Sequence, residues 1–207
     1  MNKGIIYGVG GGPGDPDLLS LKAYKLIKSA KYVAYFKKKN KDGISYSIIK
    51  RYLKKNVITV PMPYPITTEL PFLSSEYNSI LSKFYDDCCE KILSIISTKN
   101  DIIVLCEGDP FFYGSFMYLF SRLKSEHPVE VIPGVSSLTA CSASLESPLA
   151  SRNDVLVILP APLDDSDLEE KIKTADSIAI IKIGRHFERI KELLTRNRLI
   201  QNAQYIE

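Results

Sequence analysis

The stretch Gly-Val-Gly-Gly-Gly-Pro-Gly-Asp-Pro at residues 8–16 follows a short apolar strand at residues 5–7 and precedes a predicted helix at residues 18–29. Glycine allows a backbone to bend sharply and another group to approach it closely. A glycine-rich turn between a first strand and a first helix is typical of α/β folds that bind a ligand beside the turn. The spacing of the glycines indicates which ligands are compatible with it.

That spacing argues against the two common nucleotide-binding loops. The dinucleotide fingerprint needs a sixth-position glycine, but counting from Gly8, Gly10 or Gly12 this position holds proline or aspartate. No glycine in the chain is followed by the lysine that a P-loop requires. Asp15 and Asp17 at the helix entrance would repel an anion, which favours a neutral or cationic ligand. The alternative is a tight turn in which Asp17 caps the helix.

The composition of the 207 residues, with 45% hydrophobic and 10% aromatic residues, is that of a globular protein. We find neither an apolar run of membrane-spanning length nor a signal-peptide core, so we expect a cytoplasmic protein without a membrane partner. The formal net charge of +3 is too small to indicate a nucleic-acid partner. The four cysteines lack the spacing of a metal site, and we expect no protein-bound metal.

Strands and helices alternate along the chain as in an α/β fold. Prolines 61, 63, 65 and 71 exclude a sheet interior after the third strand, and a long helix is predicted at residues 74–97. The apolar run at residues 102–106 is typical of a strand covered on both faces. We expect a mostly parallel sheet flanked by helices in a domain at 1–147. A mixed α/β domain at 148–207, shortened at its C-terminus, would contain strands at 154–159, 177–183 and 203–206.

Three sharp turns follow predicted strands, at residues 8–16, 107–110 and 133–137. Ligands of open α/β sheets collect at the carboxyl ends of the strands, so the three turns are expected to form one site. Its carboxylates, glycine backbone and serine hydroxyls suit a ligand with a positive centre, hydroxyls and an aromatic base. Three unrelated turns with capping residues are the alternative.

These motifs resemble one family. The segment at residues 8–23, which has one glycine more than relatives usually carry, the Gly108-Asp109-Pro110 turn and Pro-Gly-Val-Ser-Ser at 133–137 resemble the tetrapyrrole methylases, which use S-adenosylmethionine. Residues 105–119, 128–137, 154–156 and 182–186 are similar to the branch that methylates precorrin-2 at C20 in cobalamin synthesis. The resemblance extends from residue 4 to residue 207.

The resemblance implies a two-domain homodimer with S-adenosylmethionine folded between the domains. It places the following residues at positions that contact this cofactor: Pro13, Gly108, Asp109, Ser136, Ser137 and Ile183. It implies methyl transfer to the electron-rich meso carbon C20 of precorrin-2 or its cobalt complex, whose carboxylates call for cationic side chains in the cleft. Candidate cations are Arg152, Arg185, His186 and the lysines at 37–39, although a solvated turn or loop is the alternative for each.

The aromatic side chains of Tyr35, Tyr113, Phe111 and Phe112 are candidates to cover a face of the macrocycle, with a core role as the alternative for the phenylalanines. Direct displacement at a sulfonium does not require a strong base. Asp109, Tyr113 and Glu107 are candidates for a weak one, and each could equally position the substrate.

Three other functions stay open at the level of the sequence. The lysines at 37–39 could meet the extra phosphate of NADP in an oxidoreductase, although the glycine spacing argues against it. The chain could bind a tetrapyrrole without catalysis. It could also be a methylase of the same fold that acts on another ring carbon, on RNA or on a diphthamide precursor, and the modest charge weakens the RNA version.

Overall fold

The computed structural model describes residues 4–67 and 74–207. The chain divides into two compact units, Met1–Ser137 and Leu138–Glu207. The domain boundary that the composition suggests after residue 147 stays a prediction. Pro71, part of the predicted irregular stretch, lies outside the described residues. None of the helices in the described ranges is both long enough and apolar enough to cross a membrane.

The first unit is built on a five-stranded sheet in which every pair of neighbours is parallel. The strand order is β3-β2-β4-β1-β5. Their bounds are β1 (Ile6–Gly10), β2 (Tyr32–Lys37), β3 (Ile58–Pro63), β4 (Ile102–Cys106) and β5 (Val129–Ile132). Strand β4 lies in the middle of the sheet and is buried along its whole length, as its continuous apolar sequence predicts.

Helices cover both faces of this sheet. They are α1 (Leu21–Ser29), α2 (Ile44–Ile49), α3 (Ser75–Ile96) and α4 (Phe116–Leu123), and α5 (Ser137–Ser144) begins at the end of the unit. The residues of β4 alternate between two hydrophobic cores. Ile102, Val104 and Cys106 belong to the core with α3 and α4. Ile103 and Leu105 belong to the core with α1 and α2. The fold class predicted from the sequence is confirmed.

Two details of the first unit differ from the sequence-based expectation. Strand β1 continues through Gly10, because its backbone pairs with β4 as far as Cys106. The ring of Phe116 in α4 packs where a Gly8 side chain would stand. Asp17 does not cap the first helix, so that expectation is wrong. Asp15 accepts a hydrogen bond from the backbone N–H of Asp17 to cap a short 3₁₀ turn, and Ser20 then caps α1.

The prolines of the third strand are accommodated at the sheet edge. Pro61 pairs with Tyr35 and Pro63 with Lys37, so both prolines lie inside β3. The backbone N–H groups of Ile58 and Tyr64 donate to the carbonyls of Lys31 and Lys37, and the prolines fall on the alternate positions, which face away from the neighbouring strand. The prediction that this stretch cannot form a sheet interior agrees with its edge position.

The second unit contains two parallel strands, β6 (Leu156–Pro160) and β7 (Ser177–Ile181), and the helices α6 (Asp165–Ile172) and α7 (Phe187–Arg196). Leu168 in α6 and Leu193 in α7 are fully buried in its core. The predicted strand at 203–206 is wrong: these described residues pair with no strand, and the ring of Tyr205 instead packs edge-on against Phe187. The predicted mixed sheet is accordingly a parallel pair.

Candidate functional site

Strands β4, β1 and β5 are neighbours, so the turns that follow them meet at the carboxyl edge of the sheet. The backbone N–H of Gly108 donates to the carbonyl of Gly12 at 2.8 Å, and the Gly12 N–H donates back at 3.4 Å. The N–H of Gly11 donates to the carbonyl of Cys106 at 2.8 Å. The hydroxyl of Ser20, the cap of α1, reaches the carbonyl of Pro133 at 3.4 Å. We call these joined turns, residues 10–14, 106–110 and 133–136, the loop cluster.

Glycine is required inside the loop cluster because protein backbone, not a ligand, fills part of the space. A Cβ atom on Gly10 would lie 2.5 Å from the Cα of Gly134 and 2.6 Å from the carbonyl oxygen of Gly108. No side chain can be accommodated at such distances. The sequence suggested that another group approaches the glycines closely. At Gly10, that group is the backbone of the two neighbouring loops.

Asp109 holds two of these loops in place. Its Oδ1 accepts a 2.8 Å hydrogen bond from the N–H of Phe111, and its Oδ2 accepts a 3.0 Å hydrogen bond from the N–H of Gly134. Both carboxylate oxygens are therefore engaged with backbone. This geometry favours a positioning role for Asp109 over the role of base.

The outer part of the loop cluster is open. Gly12, Gly14 and Gly108 adopt positive φ angles of 76°, 144° and 59°. No atom lies within 4 Å of the place where a Cβ of Gly14 would stand. A Cβ on Gly108 would contact only the carbonyl of Val135 and the Cα of Ser136, at 3.9 and 4.0 Å. The cluster thus offers a surface of glycine backbone that a flat or extended ligand can approach.

Five of the six residues predicted to contact the cofactor lie in or beside the loop cluster. Pro13 lies between Gly12 and Gly14, Gly108 and Asp109 follow β4, and Ser136 and Ser137 lead into α5. Ile183 lies in the second unit, where it precedes a 3₁₀ turn at Gly184–His186. The contacts of all six with a cofactor stay predictions.

A cavity of about 410 Å³ opens beside the loop cluster, at the carboxyl ends of β2 and β4. Gly11 links the two features, since a Cβ at this position would lie 3.1 Å from the carbonyl of Cys106 and 4.0 Å from the Cβ of Ser45, and both residues line the cavity. The ionisable and hydroxyl-bearing groups around it include Lys37, Lys38, Lys41, Asp42, Glu107 and Tyr113. Three lysines of the basic run, Lys37, Lys38 and Lys41, therefore lie in the wall of this cavity.

Glu107 is the carboxylate that β4 contributes to the cavity. The residue is exposed, yet neighbouring groups partly desolvate its carboxyl group. This burial raises the pKa of Glu107, and the ammonium group of Lys38 opposes the rise. The carboxyl group is consequently easier to protonate than one on an open surface.

Three aromatic or hydroxyl groups complete the cavity wall. Tyr64, which follows β3, shares a hydrogen bond with the hydroxyl of Ser115. Burial raises the pKa of Tyr64 well above its usual range, so its hydroxyl is un-ionised at neutral pH. Tyr113 has a positive φ of 54°, a conformation that costs a non-glycine residue about 1–2 kcal/mol and is enriched at functional sites.

Sequence reasoning did not single out Tyr64, Ser45, Asp42 or Ser115. The available signal was positional: Tyr64 directly follows a strand, as the residues of the predicted turns do. Tyr35 and Phe111 were singled out, and the structure gives each a packing role. Tyr35 is 9% exposed and its ring stacks on Tyr46 at 4.4 Å, and Phe111 packs edge-on against Phe120 at 4.7 Å. A contact between Tyr35 and a substrate stays a prediction.

The remaining candidates lie in the second unit. Arg152 is exposed and has a positive φ of 48°. Arg185 and His186 lie in the 3₁₀ turn before α7. Partial burial, together with the nearby charges of Arg189 and Arg185, lowers the pKa of His186. This direction favours the neutral ring over the cation, and a contact of His186 with the substrate stays a prediction.

Three of the cysteines are buried in the core, and Cys141 is partly buried in α5. Burial raises the pKa of the Cys88 thiol to about 12 and that of Cys89 to about 11, which keeps both protonated and unreactive. No group of three or more His, Cys, Asp or Glu residues in the described part of the chain could hold a metal ion.

Known proteins share this fold and sequence. A family model described as tetrapyrrole (corrin/porphyrin) methylases matches residues 5–206. Precorrin-2 C(20)-methyltransferase of Sinorhizobium sp is 35% identical over 207 residues, which are 100% of this chain and 84% of that protein. A protein of Methanocaldococcus jannaschii named probable cobalt-precorrin-2 C(20)-methyltransferase is 34% identical over 95% of this chain and 81% of its own length.

Two solved structures extend the comparison. Cobalt precorrin-4 methyltransferase superposes with a TM-score of 0.67 over 93% of this chain and 74% of that one. At 21% sequence identity, this similarity shows the fold alone. Uroporphyrin-III C-methyltransferase from Thermus thermophilus, complexed with S-adenosyl homocysteine, is 26% identical with a TM-score of 0.58 over 93% of this chain and 76% of its own. The resemblance found in the sequence is confirmed, and the chain belongs to the tetrapyrrole methylase family.

Proposed function

We propose that this protein is an S-adenosylmethionine-dependent methyltransferase that methylates precorrin-2, or its cobalt complex, at carbon C20 in cobalamin synthesis. The observation that carries the proposal is the junction at the end of β4. There, Cys106 and Gly108 are hydrogen-bonded to the glycine loop, while Cys106 and Glu107 line the lysine-rich cavity. The relatives named for this reaction match essentially the whole chain, which supports the same assignment.

The loop cluster fits the methyl donor. Its open glycines, Gly14 and Gly108, leave room for close approach by a ligand. The carboxylates of Asp109 and of Asp15, which directly follows the glycines of the cluster, suit a sulfonium cation better than a phosphate. We propose that Pro13, Gly108, Asp109, Ser136, Ser137 and Ile183 hold S-adenosylmethionine. When bound, this molecule supplies an activated methyl group.

The cavity fits part of a polycarboxylate macrocycle. Lys37, Lys38 and Lys41 line it, and ammonium groups in a concave wall bind carboxylates through charge-assisted hydrogen bonds. Lys39 of the same run is exposed and lies outside the lining, so we assign substrate binding to its three neighbours. We retain Tyr113, Tyr35, Arg152 and Arg185 as proposed substrate contacts, with His186 as a neutral hydrogen-bonding partner.

The protein's chief contribution to a direct displacement is alignment of the reacting atoms and exclusion of water. Asp109 contributes by fixing the turn after β4 to the turn after β5. Ser20 contributes by linking the start of α1 to Pro133. These contacts hold the loops of the cluster in a fixed arrangement relative to one another.

Two finer parts of the proposal concern assembly and location. We propose a homodimer that acts in the cytoplasm, as the resemblance to the family implies. Sedimentation velocity at several concentrations tests the first part, and a species at monomer mass throughout would contradict it.

The decisive experiment is incubation with S-adenosylmethionine and precorrin-2, with and without cobalt, followed by NMR location of the new methyl group. We expect one methyl at C20. A methyl on another ring carbon would reassign the enzyme within its family, and tetrapyrrole binding without any methyl gain would identify a non-catalytic binder. Calorimetry with S-adenosyl homocysteine and with NADPH separates the methyltransferase from an oxidoreductase.

A further inference from the structure

One carboxylate at the end of β4 is not used to build the fold. Cys106 accepts a hydrogen bond from Gly11 through its carbonyl, and Gly108 exchanges two hydrogen bonds with Gly12. The residue between them, Glu107, has its side chain in the cavity wall. Its position is therefore set by backbone contacts on both sides, while its carboxyl group faces the space proposed for the substrate.

The other polar groups near this position are already occupied. Both oxygens of Asp109 accept backbone hydrogen bonds. Tyr64 and Ser115 are hydrogen-bonded to each other. In the described part of the chain no hydrogen-bond donor reaches the Glu107 carboxylate, and the charge that acts on it is that of Lys38. Among these groups, Glu107 is the one whose oxygens are available to a ligand in the cavity.

We infer that the carboxylate of Glu107 accepts the proton that leaves C20 of the tetrapyrrole. This inference rests on the proposed function. The ring's π electrons form the new bond from C20 to the methyl carbon while the bond from that carbon to sulfur breaks and its electron pair stays on sulfur. The C20–H bond then breaks, its electron pair returns to the ring, and the proton moves to Glu107, so that charge and atoms balance.

The surroundings of Glu107 suit this role. A carboxylate in a desolvated wall is a stronger proton acceptor than one in open water, as the raised pKa of Glu107 reflects. Lys38 opposes the rise in the pKa and so favours the ionised form, which a proton acceptor requires. A positioned acid–base group of this kind contributes about 10²–10⁴-fold to rate.

The test compares the wild-type enzyme with E107Q and E107D, and uses E126Q as the matched control because Glu126 is exposed and lies outside the cavity lining. Single-turnover methylation of precorrin-2 is measured together with tetrapyrrole binding by absorbance titration. We expect E107Q to lose about 10²-fold or more in rate while its binding changes less than fivefold. E107D should retain intermediate activity, and E126Q should match the wild type.

A second readout separates proton removal from a structural effect. With precorrin-2 deuterated at C20, proton loss becomes slower and limits the rate in E107Q, so its primary isotope effect should exceed that of the wild type. A purely structural defect would lower the rate of E107Q and leave the isotope effect unchanged, which would overturn the inference. E107D provides the same comparison if E107Q does not fold.

A third readout needs no methyl donor. In D₂O, protonated Glu107 can deliver a deuteron to C20 of bound precorrin-2 and then accept the original proton, so the wild type should exchange this position faster than E107Q. If the wild type fails to methylate C20, the proposed function is wrong, and the exchange rates still decide the role of Glu107. Methylation at C20 with equal rates in wild type and E107Q would overturn the inference about Glu107 alone.

Discussion

Asp109 accepts a 3.0 Å hydrogen bond through Oδ2 from the backbone N–H of Gly134, 25 residues further along the chain. The bond joins the turn after β4 to the turn after β5, and these strands lie on either side of β1. Since Oδ1 of the same carboxylate accepts from Phe111, one side chain sets the shape of one loop and its distance from the next.

D109N tests this role. An amide oxygen can replace one of the two acceptors but not both, and a backbone donor left without a partner costs about 1–3 kcal/mol. We expect the free energy of unfolding to fall by about this amount in urea titrations and the affinity for S-adenosyl homocysteine to weaken in calorimetry. The control is D87N, since Asp87 is exposed on α3 and its substitution should change stability by less than about 0.5 kcal/mol. Equal stability of the two variants would refute the role.

The close approach of Gly10 to Gly134 predicts a severe effect of a single methyl group. G10A would place a Cβ 2.5 Å from the Gly134 Cα, and overpacking of this kind costs about 1–3 kcal/mol or more. G14A is the matched comparison because its Cβ meets open space, so that it reports only the cost of a side chain at a positive φ. Urea unfolding should rank G10A below G14A, and the reverse order would contradict the packing.

Lys38 is predicted to have two effects that its neighbour Lys39 lacks. K38M removes an ammonium group from the cavity wall, so KM for the tetrapyrrole should rise about fivefold, or about 1 kcal/mol. The same change should raise the pKa of Glu107 further and shift the acidic limb of the rate profile to higher pH, because Lys38 lowers that pKa. K39M should do neither, since Lys39 is outside the lining. Matching profiles for K38M and K39M would argue against both effects.

Glu107 should make stability depend on pH in a defined direction. Its pKa is higher in the folded than in the unfolded chain, so the unfolded chain releases this proton first as pH rises and folding becomes less favourable. E107Q lacks this loss of stability with rising pH. The Tm of E107Q minus that of the wild type should therefore be more positive at pH 7 than at pH 4. The other titratable groups facing this position are Lys37, Lys38, Lys41, Asp42, Tyr64 and Tyr113. A Tm difference that is constant with pH would refute the prediction.

His186 should titrate below its usual range. Burial lowers its pKa, and Arg189 and Arg185 add to the effect. We expect an NMR titration of the ring to have its midpoint below 6.5, and R185M to move it upward, since one repelling charge is removed. A midpoint above 6.5 would contradict this prediction and would favour a cationic His186.

Local sequence determined much of the secondary structure and the family. The apolar run at 102–106 is the buried strand of which its sequence is typical, and α3 lies within one residue of the bounds predicted for the helix at 74–97. The motifs of the three turns and their order along the chain were sufficient for the resemblance to the tetrapyrrole methylases, which the family comparison confirms. The strand at 203–206 failed because an apolar alternation forms a strand only where a neighbouring strand offers hydrogen bonds.

The candidate site needed the tertiary structure. Sequence indicated that residues 8–16, 107–110 and 133–137 belong together, because parallel strands end at one edge of a sheet. It could not show that neighbouring backbone fills the space beside Gly10. Nor could it show that both oxygens of Asp109 accept hydrogen bonds while Glu107, two residues earlier, lines a cavity. Those facts depend on which strands are neighbours in β3-β2-β4-β1-β5, and that order is set by long-range packing rather than by any local pattern.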